Sequence, residues 1–239
     1  MSVYVIADLH LSGSVNKSMD VFGKRWAGYT ERIESNWRKL VRDEDTVVIP
    51  GDISWAMNMS EALTDLKLID SLPGRKIFLK GNHDLWWSTL SKMNKELEEN
   101  DITTLAFLQN NAYSCDNFII CGSRGWFLEE KNQKTTVGIP NYEKIIAREV
   151  IRLKMSLEAG KKLLTEFPDS ELVAFLHFPP AFSGFVCREI IDVLHQYNVK
   201  RCFFGHIHDP YVKEGHYFFE DIEMRLISAD YLDFIPFKL

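Results

Sequence analysis

The stretch "KRCFFGHIHD" (200–209) carries an apolar run, Cys202 to Phe204, into a glycine and then two histidines with one residue between them. A short run rich in aromatic residues that stops at glycine reads as a buried strand giving way to a loop. Five further runs share its length and its β-branched or aromatic content: "VYVIADLH" (3–10), "TVVIPGD" (46–52), "KIFLKGNHD" (76–84), "NFIICGSRG" (117–125) and "ELVAFLHFPP" (171–180). Helical patterns lie between them. Residues 29–41 place Ile33, Trp37, Leu40 and Val41 on one face, and residues 60–72 do the same with Leu63, Leu66, Ile69 and Leu72. A long helix is predicted from Tyr142 to about Phe167, ended by Pro168 and Asp169, with a shorter amphipathic helix over 187–199. The tail from Tyr211 alternates as antiparallel strands do. Strands alternating with helices, followed by strands, predict a layered α/β fold with a mixed sheet or two. With no internal repeat, low-complexity segment or linker, residues 1–239 read as one domain.

Composition narrows the function classes. The chain is 46% hydrophobic and 26% charged, enough for a sizeable core. Its 28 basic and 34 acidic residues give a net charge of −6, and no run of lysine or arginine suits a nucleic-acid backbone. An anionic substrate must therefore be attracted locally. Cys115, Cys121, Cys187 and Cys202 have no CxxC spacing and read as a reduced set. No secretory segment opens the chain, and no apolar stretch approaches the roughly 18 residues of a membrane span. A cytoplasmic protein with no membrane partner is expected. The aromatic-rich tail suits covering its own sheet or a partner's equally well, so no oligomeric state is read from it.

Five of the six apolar runs end in metal-ligand residue types. Asp8 and His10 follow the first, Asp52 the second, and Asn82, His83 and Asp84 the third. His177 closes the run at 171–180, and His206 and His208 follow the last. Five of the seven histidines thus stand at strand ends, and loops beyond the carboxyl ends of strands form the ligand crevice of α/β sheets. Polar residues scattered without preference would not give this distribution. Alternate residues of an extended chain share a face about 6.6 Å apart, twice the strand rise of roughly 3.3 Å. Two metal ions that share a ligand sit roughly 3.5–4 Å apart, so a histidine pair at this spacing can hold one metal each.

The set "DLH" (8–10), "GD" (51–52), "GNHD" (81–84), a lone histidine at 177 and "GHIH" (205–208), in this order, resembles the calcineurin-like metallophosphoesterase superfamily. That resemblance runs over nearly the whole chain. It implies a four-layer α/β/β/α sandwich of two mixed sheets flanked by helices, with a dinuclear metal site at the carboxyl ends of the strands. It further implies that Asp8, His10 and His208 bind the first metal, that Asn82, His177 and His206 bind the second, and that Asp52 bridges them. Imidazole, carboxylate and amide without thiolate suit two divalent ions, Mn²⁺, Fe or Zn²⁺, with Mg²⁺ held less tightly. By the same resemblance a water between the ions, its pKa lowered from about 16 towards 7, attacks phosphorus in line. His83, a non-ligand in the family, protonates the leaving oxygen. Asp84 is taken with it as a catalytic residue, although a different carboxylate orients this histidine in some members.

Outside the pattern, Arg124 ends the run at 117–125 and is expected to grip phosphate oxygens with its planar fork, a surface ion pair being the alternative. Trp55, Trp86, Trp87 and Trp126 follow the motif blocks; packing beneath the metal loops is the first reading, and stacking on a nucleobase the second. His195 and His216 read as ordinary surface residues. Residues 11–29 form a long loop in which Phe22, Lys24 and Trp26 could shape a lip over the ions. The second block continues as "GDISWAMNM" and lacks the G-D-x-x-D-R-G arginine of protein Ser/Thr phosphatases. A small phosphodiester, phosphomonoester or nucleotide is therefore the expected substrate. The alternative is a non-catalytic protein-binding module that retains the fold, although every ligand position and His83 are filled.

Overall fold

The computed structural model describes residues 1–126, 141–208 and 214–239. Residues 209–213, the close of the histidine stretch and the start of the tail, lie outside the described residues. In chain order the elements are β1 (Val3–Val5), α1 (Tyr29–Leu40), β2 (Thr46–Pro50), α2 (Met59–Asp70), β3 (Arg75–Leu79), α3 (Leu90–Glu99), β4 (Leu105–Phe107), β5 (Tyr113–Cys115) and β6 (Phe118–Ser123). They continue with α4 (Tyr142–Glu166), β7 (Glu171–Leu176), β8 (Ala181–Phe182), β9 (Phe185–Val186), α5 (Arg188–Gln196), β10 (Arg201–Phe204), β11 (His216–Phe219), β12 (Ile222–Leu226) and β13 (Phe237–Lys238).

Two mixed sheets carry the fold. The first runs β13-β1-β2-β3-β4 and the second β11-β12-β10-β7-β6-β5, while β8 and β9 form a small separate hairpin. The inner strands of each sheet are parallel, and antiparallel neighbours stand at the edges, β13 beside β1, β11 beside β12 and β5 beside β6. The two-residue period of a strand sends alternate side chains to opposite faces. In β1, Val3 and Val5 face the second sheet and pack with Val48, Ile77, Val173, Phe175 and Phe203. Tyr4 and Ile6 point the other way, onto Ile33 and Trp37 of α1 and Leu66 and Ile69 of α2. On the second sheet, Cys121, Ala174, Cys202 and Met224 face Leu153 and Leu157 of α4 and Ile190 and Leu194 of α5. The layers are helices, sheet, sheet, helices: the four-layer sandwich.

The helical periods hold with local exceptions. Leu40 is exposed at the end of α1 while Ile33, Trp37 and Val41 are buried. In α2 the buried face includes Asp65, whose carboxylate accepts from Gly13 N (2.8 Å) and Ser54 Oγ and ties the loop after β1 to the helix. Helix α3 escapes the sequence pattern because only Met93 and Leu97 of its ten residues are buried. All four cysteines are free and buried, three of them in strands. Among the described residues no helix is long and apolar enough to cross a membrane.

Candidate metal centre

Parallel strands deliver their carboxyl ends to one edge of each sheet, and the two edges meet. Asp8 and His10 follow β1, Asp52 follows β2, and Asn82 and His83 follow β3 in the first sheet. His177 follows β7 and His206 and His208 follow β10 in the second. The loops are knitted together by backbone bonds: Asp8 N to Gly51 O (3.0 Å), His10 N to Asp52 O (2.9 Å) and Ala7 N to Ile227 O (2.8 Å). Gly81 and Gly205 permit this crowding. A Cβ at Gly81 would lie 2.1 Å from Asp52 Oδ1, and one at Gly205 2.4 Å from Asp8 Oδ2. Asp8, His10, Asp52 and His206 all have positive φ, between 46° and 71°. Each such non-glycine residue costs on the order of 1–3 kcal/mol, and strain of this kind collects at functional sites.

Two groups of donor atoms result: Asp8, His10 and His208 in one, and Asp52, His177 and His206 in the other. Asn82 joins the second, its Oδ1 lying 2.6 Å from His177 Nε2 and 3.1 Å from His206 Nδ1. Asp52 stands between them, with Oδ2 at 3.7 Å from His10 Nε2 and 3.5 Å from His177 Nε2. The seven residues that the resemblance names as ligands therefore lie close together.

The hydrogen bonds around the groups test their fitness for cations. His177 Nδ1 donates to the Pro50 carbonyl at 3.1 Å, so Nε2 turns a lone pair towards Asn82 Oδ1 and Asp52 Oδ2. Three acceptors converge there with no proton among them. His208 Nδ1 donates to Asp230 Oδ1 at 2.9 Å, which sets its Nε2 facing His10 Nε2 at 3.1 Å. An outer partner that fixes a histidine tautomer is the usual support of a metal ligand. These residues fit a pair of divalent ions.

Protonation follows the same logic. Burial, with neighbouring imidazoles, pushes His177 down to about 3 and His206 to about 2, so both are neutral near pH 7. His10 is likewise lowered by burial and by the adjacent imidazoles. His208 differs: burial pulls it down, but the Asp230 hydrogen bond and the nearby carboxylates outweigh that and raise it. Burial lifts Asp8 to about 8, with Asp52 adding to the rise, and lifts Asp52 to about 6. Packing such carboxylates together without cations is unfavourable.

His83 lies outside both groups. Its side chain is 40% exposed and its Nε2 is 4.0 Å from Asp52 Oδ2, while its backbone N–H donates to Asp52 Oδ1 at 2.8 Å. Asp84 has other partners than that ring. It is fully buried and accepts from the backbone of Gly81, Asp52, Ile53 and Ser54 and from Trp86 Nε1. The carboxylate ties the loop after β2 to the loop after β3. Arg124 gives its backbone carbonyl to His177 N (3.1 Å), and its guanidinium lies 3.6 Å from Glu149.

Trp55 stacks on His10 with ring centroids 4.9 Å apart, and Trp26 sets its edge against His10 and His208. Of the expected lip, Trp26 is buried packing and Phe22 and Lys24 are exposed. His195 and His216 contact the carboxylates of Glu220 and Glu223, respectively, away from the centre. Two residues had no signal in the sequence. Asp230, after β12, anchors His208, and Arg25 holds Asp230 through its carbonyl (2.6 and 2.9 Å) and a 3.5 Å ion pair.

The family model for calcineurin-like phosphoesterases matches residues 1–210. The chain belongs to the calcineurin-like phosphoesterase family. No curated protein matches it. Its fold is similar to that of a protein of unknown function from Aquifex aeolicus, at 19% identity and TM-score 0.51, over 99% of this chain and 95% of that one. It is also similar to a protein of Thermus thermophilus, at 11% identity and TM-score 0.55, over 96% and 89% of the two chains. Metal-dependent phosphoesterases make up the family, and the donor groups such a centre needs are present in this chain.

Proposed function

We propose that this phosphoesterase-family chain hydrolyses a small phosphate ester, a monoester, diester or nucleotide, at a dinuclear centre. The observation that carries the reading is the pair of donor groups sharing Asp52. Asp8, His10 and His208 would hold one ion and Asn82, His177 and His206 the other, with Asp52 between them. Mn²⁺, Fe or Zn²⁺ suits this donor set better than Mg²⁺. When bound, such ions supply positive charge for the phosphoryl oxygens and lower the pKa of water.

The remaining steps belong to the chain. His83, outside the ligand groups and partly open to solvent, would give a proton to the leaving oxygen. Asp84 keeps the loop that presents it in register. Arg124 is the proposed grip on the substrate's anionic part. The net charge of −6 argues against a nucleic-acid substrate and for local attraction at the centre. A cytoplasmic setting and a single domain complete the reading, the latter supported by β13 pairing with β1 across the length of the chain.

The test is a panel of aryl monoesters and diesters, nucleotides and cyclic nucleotides, assayed with Mn²⁺, Fe²⁺ and Zn²⁺. Wild type should turn over at least one class, and Asp52→Asn should lose both metal and turnover. A metal-loaded chain that hydrolyses nothing in the panel would favour the binding-module alternative.

A further inference from the structure

A cavity of about 310 Å³ opens on the same edge of the sandwich as the donor groups, between the ends of β3, β4 and β6 and the N-terminal half of α4. Four cationic side chains line it, Lys80, Arg124, Arg148 and Arg152, against one carboxylate, Glu149. An excess of three positive charges in one recess is unusual in a chain whose net charge is −6. Glu149 is fully buried. Its Oε1 holds Arg152 at 2.7 Å and Arg124 at 3.6 Å, so the two guanidinium groups are positioned before any ligand arrives. Glu149 Oε2 and Arg124 Nε have no hydrogen-bond partner among the described residues, an acceptor and a donor buried and unused. Leaving such groups unpaired is costly, and more so when they are charged.

The recess is joined to the centre through the backbone. Lys80 stands two residues before Asn82, and the Arg124 carbonyl accepts the N–H of His177. Trp87 forms an apolar wall, its indole N–H engaged with Gln109 at 2.9 Å. Guanidinium forks suit phosphate or carboxylate, and the open Oε2 suits a hydroxyl donor beside it.

We propose that this recess receives a second anionic group, so that the preferred substrates are phosphate esters bearing a further phosphate or carboxylate with an adjacent hydroxyl. This rests on the phosphoesterase reading above, with one phosphate at the metal centre and the other in the recess.

Adenosine 3′,5′-bisphosphate carries a hydroxyl next to its second phosphate, and adenosine 5′-monophosphate lacks the second anion. With the Mn²⁺-loaded chain, kcat/KM should be at least tenfold higher for the bisphosphate. Arg148→Gln with Arg152→Gln should bring that ratio close to one, and Arg148→Lys with Arg152→Lys should restore part of it. Arg148 is exposed and Arg152 is 45% exposed, and thermal melting checks that the variants fold. In parallel, calorimetry with inorganic pyrophosphate on the metal-free chain should show binding at least tenfold weaker in the glutamine variant. Turnover with an unchanged substrate ratio, and pyrophosphate binding equal in both proteins, would overturn the recess and leave the phosphoesterase reading intact. Binding that depends on the arginines in a chain that hydrolyses no ester would support the recess and remove the phosphoesterase reading.

Discussion

At His83 and Asp230, single residues divide into those that would act on substrate and those that position another group. The His83 ring is outside both donor groups, so His83→Ala should lower kcat by about 10²–10⁴, the range of general acid–base catalysis. Metal content measured on the same preparation should be unchanged; lost metal would make His83 a ligand. Asp230 acts through His208. Asp230→Asn keeps an acceptor but removes the charge that fixes the imidazole, and should weaken binding of one of two Mn²⁺ ions by about 10–100-fold. Titration of Mn²⁺ into wild type and variant reads this directly, and equal affinities would show that His208 is held by its loop alone. The contrast between the two residues also shows what the sequence can reveal. His83 stands in a run of three ligand types, Asn82 to Asp84, and its setting was legible. Asp230 stands alone in "LISAD" (226–230), and its meaning comes from a histidine 22 residues away and from Arg25 at the other end of the chain.

At the scale of elements, the long apolar runs were legible because burial on both faces leaves an unbroken hydrophobic string, as in β2, all five residues of which are buried. Two-residue strands such as β8 and β9 leave no period to detect. The recess was hidden for a different reason: its cations come from the loops after β3 and β6 and from α4, and only the packing of α4 on the second sheet gathers them. That packing depends on Gly160. Glycine in a helix interior is ordinarily a weakness of about 1 kcal/mol relative to alanine. Here a Cβ would lie 2.3 Å from Cys121 Sγ and 3.1 Å from Leu172 Cδ1. Gly160→Ala should therefore reverse the usual sign and destabilise by about 1–3 kcal/mol, the cost of overpacking. A urea midpoint below that of wild type is the expected result, and a rise would mean that α4 has room to move away from the sheet.

For the molecule as a whole, two sheets bring their strand ends to one place and create a demand for cations inside an acidic protein. Asp8 and Asp52 are carboxyls raised by burial to about 8 and about 6. Divalent ions bind the carboxylate forms, so metal competes with protons at both. His177 and His206 are already neutral well below this range and contribute no proton competition between pH 6 and 8. His208, raised above its ordinary value, works in the same direction as the aspartates. The sign is fixed: Mn²⁺ affinity should rise as pH goes from about 6 to about 8, and binding near pH 7 should release protons. Calorimetry at pH 7 in buffers of different ionisation enthalpy would measure the number released. A metal that binds only the folded chain stabilises it, so stripping it with chelator should lower the melting temperature, and by more at pH 8 than at pH 6, where protons already occupy much of the site. An affinity that does not change with pH, with no proton release, would mean that the aspartates are ionised in the metal-free chain and that the histidine arrangement alone tolerates their charge.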